Sequence, residues 1–295
     1  MTRTAPRTDP VRWSMHTLFR SLPMALALVT AQAAAPAGLH PTLAVMPGEP
    51  TAYLLGSWQG GRWLSAPQTR ARLQGTESYR RLAPGVTPTQ LRAGGIATSL
   101  GAPCEDTFEV PVPSLPRGLA VLTPAALNAQ PRPVTELPTR NATYERIVRD
   151  ELIRRGVVAP QVTLTRLTRT DLDGNGTQEV IIEARRFRGA SGDFPPPTGQ
   201  PGDYSLLLLR HVTAGRAVTT VLGAHVAPRT PWNPESSDPM PMATQYRLVG
   251  VADLNGDGRM ELVLHDAYYE GAGFTVQEWT PAGLRPTPLD SGCGA

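Results

Sequence analysis

The sequence predicts a mainly β protein with minor α: two antiparallel β units in the C-terminal half, preceded by one helix and a smaller β-rich N-terminal domain. Three observations predict it. A nine-residue sentence, DLDGNGTQE at 171–179 and DLNGDGRME at 253–261, is written twice, each time between strand-like aliphatic runs. One segment, NATYERIVRDELIRR at 141–155, spaces its apolar residues for a helix. The region before it is punctuated by Pro and Gly, as short strands joined by turns are.

Along the 295 residues, the first element is a leader. Arg12 and Arg20 precede the apolar run LPMALALVTA, Leu22 to Ala31, which ends at the small-x-small site Ala31-Gln32-Ala33. A basic region, a short apolar region and such a site make a secretory signal, residues 1–33, with cleavage before Ala34. No apolar stretch reaches the ~18 residues of a membrane-spanning helix, so no transmembrane segment is expected. The expected location is periplasmic or extracellular. Cys104 and Cys293 are the two cysteines of the chain, and an oxidising compartment favours a bridge between them over two separate thiols.

All 28 basic residues are Arg. Four of them, with one Asp, lie in the leader and account for the net charge of +3, so the remainder is neutral. Arg is scattered rather than gathered into a basic face, and no nucleic-acid partner is expected.

Residues 34–138 form the predicted N-terminal domain, with Pro/Ala linkers. Its first part, 34 to about 50, reads as such a linker and contains His40. The segment TAYLLGSWQGGRWLSA, 51–66, has two apolar and aromatic runs about Gln59-Gly60-Gly61, a hairpin signal. Trp58 and Trp63 then face one another as a packed cross-strand pair, an exposed sugar-binding pair being the alternative. Short strands are expected over 79–125, and Pro131, Pro133 and Pro138 mark the boundary with the second domain, 139–295.

In that domain Tyr144, Ile147, Val148 and Leu152 share a helix face, with Asn141 or Thr143 as cap and Gly156 as stop. Strand-like runs follow. VTLTRLTRT enters the first motif and VIIEARRF leaves it, with YSLLLLRHV and AVTTVLGAHV beyond. YRLVGVA enters the second motif, LVLHDAYYE leaves it, and FTVQEW follows. Each motif therefore sits in a tight connection between two strands. The Pro-rich FPPPTGQP and APRTPWNPESSDPMPM read as surface loops.

Within the motifs, side-chain oxygens recur at alternate positions. Asp171, Asp173 and Asn175 occupy positions one, three and five, Gly176 allows a sharp turn, and Glu179 closes at nine. Asp253, Asn255, Asp257, Gly258 and Glu261 repeat the arrangement. Carboxylates crowded this closely raise one another's energy unless a cation lies among them. The carbonyls of Thr177 and Arg259, at position seven, supply a further oxygen as in the EF-hand loop. Hard oxygen donors without His or Cys suit Ca2+ or Mg2+ rather than zinc, and a flexible ligand set favours Ca2+. A polar turn without an ion is the alternative.

The flanking strands and the acid at nine separate this pattern from the EF-hand, which closes at position twelve. It resembles instead the calcium loop of FG-GAP and VCBS repeats, Asp-x-Asp-x-Asp-Gly-x-x-Asp, found in integrin-type β-propellers. Glu stands at position nine in both copies where that family usually has Asp. The resemblance covers the two strand-loop-strand units and implies two blade-like β units carrying calcium loops, with the ion in a structural role.

The sequence contains no Gly-x-Ser-x-Gly elbow, phosphate-cradling loop or HExxH. His211 and His265 lie in strand-like runs, and Asp266, Tyr268, Tyr269 and Glu270 form either a small polar site or a strand end. The expected function is an exported calcium-binding protein with a structural or binding role at the cell envelope, toward a protein or glycan partner. The alternative is an exported hydrolase in which calcium is a brace.

Overall fold

The computed structural model describes residue 1 and residues 38–113, 115, 117–190 and 194–294. The expected signal region, with Arg12, Arg20 and the cleavage site before Ala34, lies outside the described residues. The described residues from Gly38 onward make one compact unit.

Three antiparallel sheets and two helices build what is described. The first sheet holds β1 (His40–Val45), β2 (Thr51–Gln59), β3 (Arg62–Ser65), β4 (Ser78–Ala83), β5 (Val86–Arg92), β6 (Thr98–Ser99), β7 (Phe108–Pro111) and β8 (Ala120–Pro124). Its order is β5-β4-β8-β1-β2-β7-β6, with β3 paired to β2 and the short α1 (Ala66–Arg70) following β3. The second runs β13-β12-β11-β10-β9, from β9 (Thr135–Glu136), β10 (Leu164–Thr170), β11 (Glu179–Arg186), β12 (Tyr204–Thr213) and β13 (Arg216–Val226). Between β9 and β10 comes α2 (Ala142–Arg154). The third is a plain meander of β14 (Gln245–Ala252), β15 (Glu261–Tyr268), β16 (Gly271–Thr280) and β17 (Gly283–Gly294). Each motif thus joins the first two strands of a four-strand meander, β10 to β13 or β14 to β17.

Local chemistry explains the elements that the sequence marks. The Asn141 side chain accepts from the Thr143 amide at 3.2 Å and the Tyr144 amide at 3.4 Å, which satisfies two of the free donors at the start of α2. Gly156 ends the helix in the left-handed region at φ 88°. In the β2–β3 hairpin Trp58 stands opposite Trp63 with ring centroids 4.8 Å apart, the packed pair of the two alternatives.

Packing arranges the sheets in layers. Val148 and Leu152 of α2 cover one face of the second sheet, against Leu167, Ile182, Leu206 and Leu208. Its other face, Ile181, Leu207 and Leu209, packs on Leu248, Leu262, Leu264 and Trp279 of the third. The far face of the third, Val249, Val263, Phe274 and Val276, meets Ala44, Leu55, Leu82 and Val121 of the first. Ala66 of α1, with Ala93 and Ala97, covers the outer side of that sheet over Leu43, Leu54 and Tyr79. Sheets covered on both faces need long apolar runs, which is why Leu206 to Leu209 are all buried. Gly250 lies at the bulge of β14, where a Cβ would meet Val121 at 2.8 Å, so its lack of a side chain lets two sheets close.

The open edge of β14 leans on the second sheet. The Leu248 amide donates to Glu183 at 3.1 Å, the Leu248 carbonyl accepts from Arg166, and the Tyr246 amide donates to Ser205 at 2.9 Å. Arg166 also pairs with Glu183. Side chains of one meander thereby satisfy the backbone edge of the next.

One expectation is corrected. Residues 34 to 50 are not a linker throughout: His40–Val45 is an inner strand, buried along its whole length. Its small residues fit because Leu43 and Ala44 alternate between two cores that already supply the bulk. Pro41 is tolerated because β8 pairs only from Leu43 onward. The Cys104–Cys293 disulfide is formed, with Cα atoms 5.7 Å apart, and ties the last strand to the connection between β6 and β7 across a separation of 189 residues. No described helix is long and apolar enough to cross a membrane.

Candidate metal centre

The two nine-residue loops fold to one hydrogen-bond frame. In the first, Asp171 accepts the Gly174 amide at 2.7 Å and the Gly176 amide at 2.9 Å. In the second, Asp253 accepts the Gly256 and Gly258 amides at 2.6 and 2.9 Å. Position nine reaches back to position two: the Leu172 amide donates to Glu179 at 2.9 Å, and the Leu254 amide to Glu261 at 2.7 Å. Positions three and five each accept the amide two residues on, Asp173 from Asn175 and Asn175 from Thr177, then Asn255 from Asp257 and Asp257 from Arg259. These are Asx turns, the local chemistry for which Asp and Asn are suited. The glycines at positions four and six of each loop sit at φ between 78° and 87°, the left-handed region that a curled loop requires.

Three carboxylates converge in the first loop. Oxygens of Asp171, Asp173 and Glu179 lie within 4.8 Å of one another, two of the residues being buried. Asn175 is exposed and turns its amide to Asp173 at 3.1 Å. In the second loop Asp253, Asp257 and Glu261 do not form such a group. Asp257 is exposed, with one oxygen accepting the Arg259 amide at 2.8 Å and the other pairing with the Arg259 guanidinium at 3.5 Å. At position seven the Thr177 and Arg259 amides donate to Asn175 and Asp257, and the Arg259 side chain adds its ion pair to Asp257.

Burial disfavours the charged form of Glu179, Asp253 and Glu261. It pushes the Glu179 carboxyl up, and the charges of Asp173 and Asp171 push the same way, against the Leu172 amide. Burial also raises Asp253. Glu261, fully buried, is driven well above the usual carboxylate range, with Asp253, Asp257 and Glu278 adding to the effect. Its second oxygen, Oε1, is buried with no hydrogen-bond partner. A buried carboxylate left this way is costly unless it holds a proton or a cation. The converging oxygens of Asp171, Asp173 and Glu179 could hold a metal ion.

Two residues at the site carry no signal in the motif. Arg132 donates from Nε to the Asp171 carbonyl and from one terminal nitrogen to the Leu172 and Gly258 carbonyls, at 2.8 and 2.6 Å. It stands between Pro131 and Pro133, a context that reads only as a loop. Trp279 of β16 donates its indole N–H to Asp173 at 3.4 Å from the neighbouring unit. The loops also touch directly, the Met260 amide donating to the Leu172 carbonyl at 2.8 Å.

Two of the histidines, His211 and His265, are engaged in packing and side-chain contacts. His211 is flanked by the hydroxyls of Thr220 and Thr213 and stands edge-on to Trp279 at 5.4 Å. His265 is buried against Phe274, with ring centroids 5.0 Å apart. No family model, curated protein or solved structure matches this chain.

Proposed function

We propose that this is an exported calcium-binding protein in which paired ion loops brace stacked sheets, and that it serves a structural or binding role at the cell envelope. The observation that supports this reading best is the doubled loop frame, with the three converging carboxylates of Asp171, Asp173 and Glu179 in the first copy. The unpartnered Oε1 of Glu261 supports a cation at the second. In this reading the two meanders are blades of the FG-GAP or VCBS kind that do not close into a ring. One end of the stack is covered by α2 and the other by the first sheet, so two units suffice, as in repeat proteins with capped ends. The disulfide accords with export to an oxidising compartment.

The ion's part is to neutralise acids that the folded chain holds together. Because the folded state alone presents that frame, binding adds stability that grows with free ion. The test is calorimetric titration of residues 34–295 with Ca2+ and with Mg2+, alongside Asp171→Ala and Asp253→Ala. Two Ca2+ sites, each lost with one variant, bear the reading out. Absence of binding by either ion reduces the motifs to polar turns and ends it.

A further inference from the structure

The bond pattern of Arg132 has a specific consequence for both loops. Its Nε donates to the Asp171 carbonyl, and the N–H of that same peptide unit, on Leu172, donates to Glu179 at 2.9 Å. Its terminal nitrogen donates to the Gly258 carbonyl at 2.6 Å, and the N–H of that peptide unit, on Arg259, donates to Asp257 at 2.8 Å. One guanidinium therefore stands a single peptide group away from an acid of each loop. The intervening peptides are polarised toward those acids, since a carbonyl accepting from a cation makes its own N–H a better donor.

We infer that Arg132 is a positioning residue for both ion sites at once, holding Glu179 and Asp257 in place through the peptides it grips. The inference rests on the calcium reading above and adds a residue that lies outside both motifs. The fork geometry matters as much as the charge. Nε and a terminal nitrogen reach carbonyls on two different loops, a spread that the single ammonium of Lys does not offer. The Gly174 position leaves room for it, because a Cβ there would lie 3.1 Å from the guanidinium. Substitution of groups that hold metal ligands in place typically costs 10–100-fold in affinity.

The experiment compares Arg132→Met and Arg132→Lys with the wild-type chain. Calorimetry reads Ca2+ affinity over both sites, and the same titration in Asp253→Ala and Asp171→Ala backgrounds reads each loop separately. The expected result is a roughly 10-fold weakening at both loops in both variants. Three results overturn the inference: affinities unchanged while the melting temperature falls, which makes Arg132 a structural clamp only; tighter binding in Arg132→Met, which makes it a repelling charge; or weakening confined to one loop. Wild-type protein that binds no ion at all sinks the calcium reading itself, and is read before any variant is compared.

Discussion

The two loops share a frame but put their charge at different depths. Position three is half-buried in the first loop and holds Asp173, which receives the Trp279 indole N–H. In the second it is 2% exposed and holds Asn255, and the carboxylate has moved to the exposed position five, Asp257. A neutral amide thus occupies the covered position and a charge the open one, as the cost of burying an ion requires. The strands leaving the loops differ in charge at equal depth. Four residues past the closing glutamate, the first unit has Glu183 paired with Arg166, and the second has His265, whose ring nitrogens find no hydrogen-bond partner. One frame accepts different charges according to what covers it and what stands opposite.

The largest expected effect comes from moving charge against this rule. Asn255→Asp should destabilise the chelated protein by about 4 kcal/mol at pH 8, and the same change at exposed Asn175 by under about 0.5 kcal/mol. Urea unfolding measures both, and equal costs would break the comparison. Added Ca2+ should narrow the gap.

His265 gives the next largest effect. Burial lowers its value from 6.5 to about 4, so its contribution is whole above about pH 6.5 and is lost as pH falls toward 4. That window is worth about 3 kcal/mol. His265→Leu should flatten the acid limb of stability, and an unchanged limb would assign acid sensitivity to other groups.

Ion binding follows in size. At free Ca2+ one hundred times the dissociation constant, each loop should add about 2.7 kcal/mol. Asp171→Ala and Asp253→Ala should each remove one such increment in melting curves with and without chelator. A single variant that removes both increments would show that the loops do not act as separate sites.

Trp279→Phe is expected to be the mildest, costing about 1 kcal/mol through its hydrogen bond to Asp173. It should weaken ion binding at the first loop and leave the second unchanged by calorimetry. Equal weakening at both would mean that Trp279 acts through packing rather than through Asp173.

The loops, the Asn141-capped helix and the Trp58–Trp63 hairpin were legible because each is made by residues close in sequence. The strand His40–Val45 was not, since its small residues and Pro41 have the composition of a linker and only the two cores around it reveal its place. The site was legible in the same proportion. Its acids follow a fixed spacing, whereas Trp279 and Arg132 reach it across separations of 106 and up to 126 residues and follow none.

By itself, then, the sequence determined the two curled loops, their oxygen donors and the strands on either side, because those hydrogen bonds close within nine residues. The tertiary structure alone decided the layered order of the sheets and how deep each loop position lies. It also decided that one arginine grips both loops. The physical reason is that burial and long-range donors depend on which surfaces meet, and periodicity along a chain does not record which surface lies opposite.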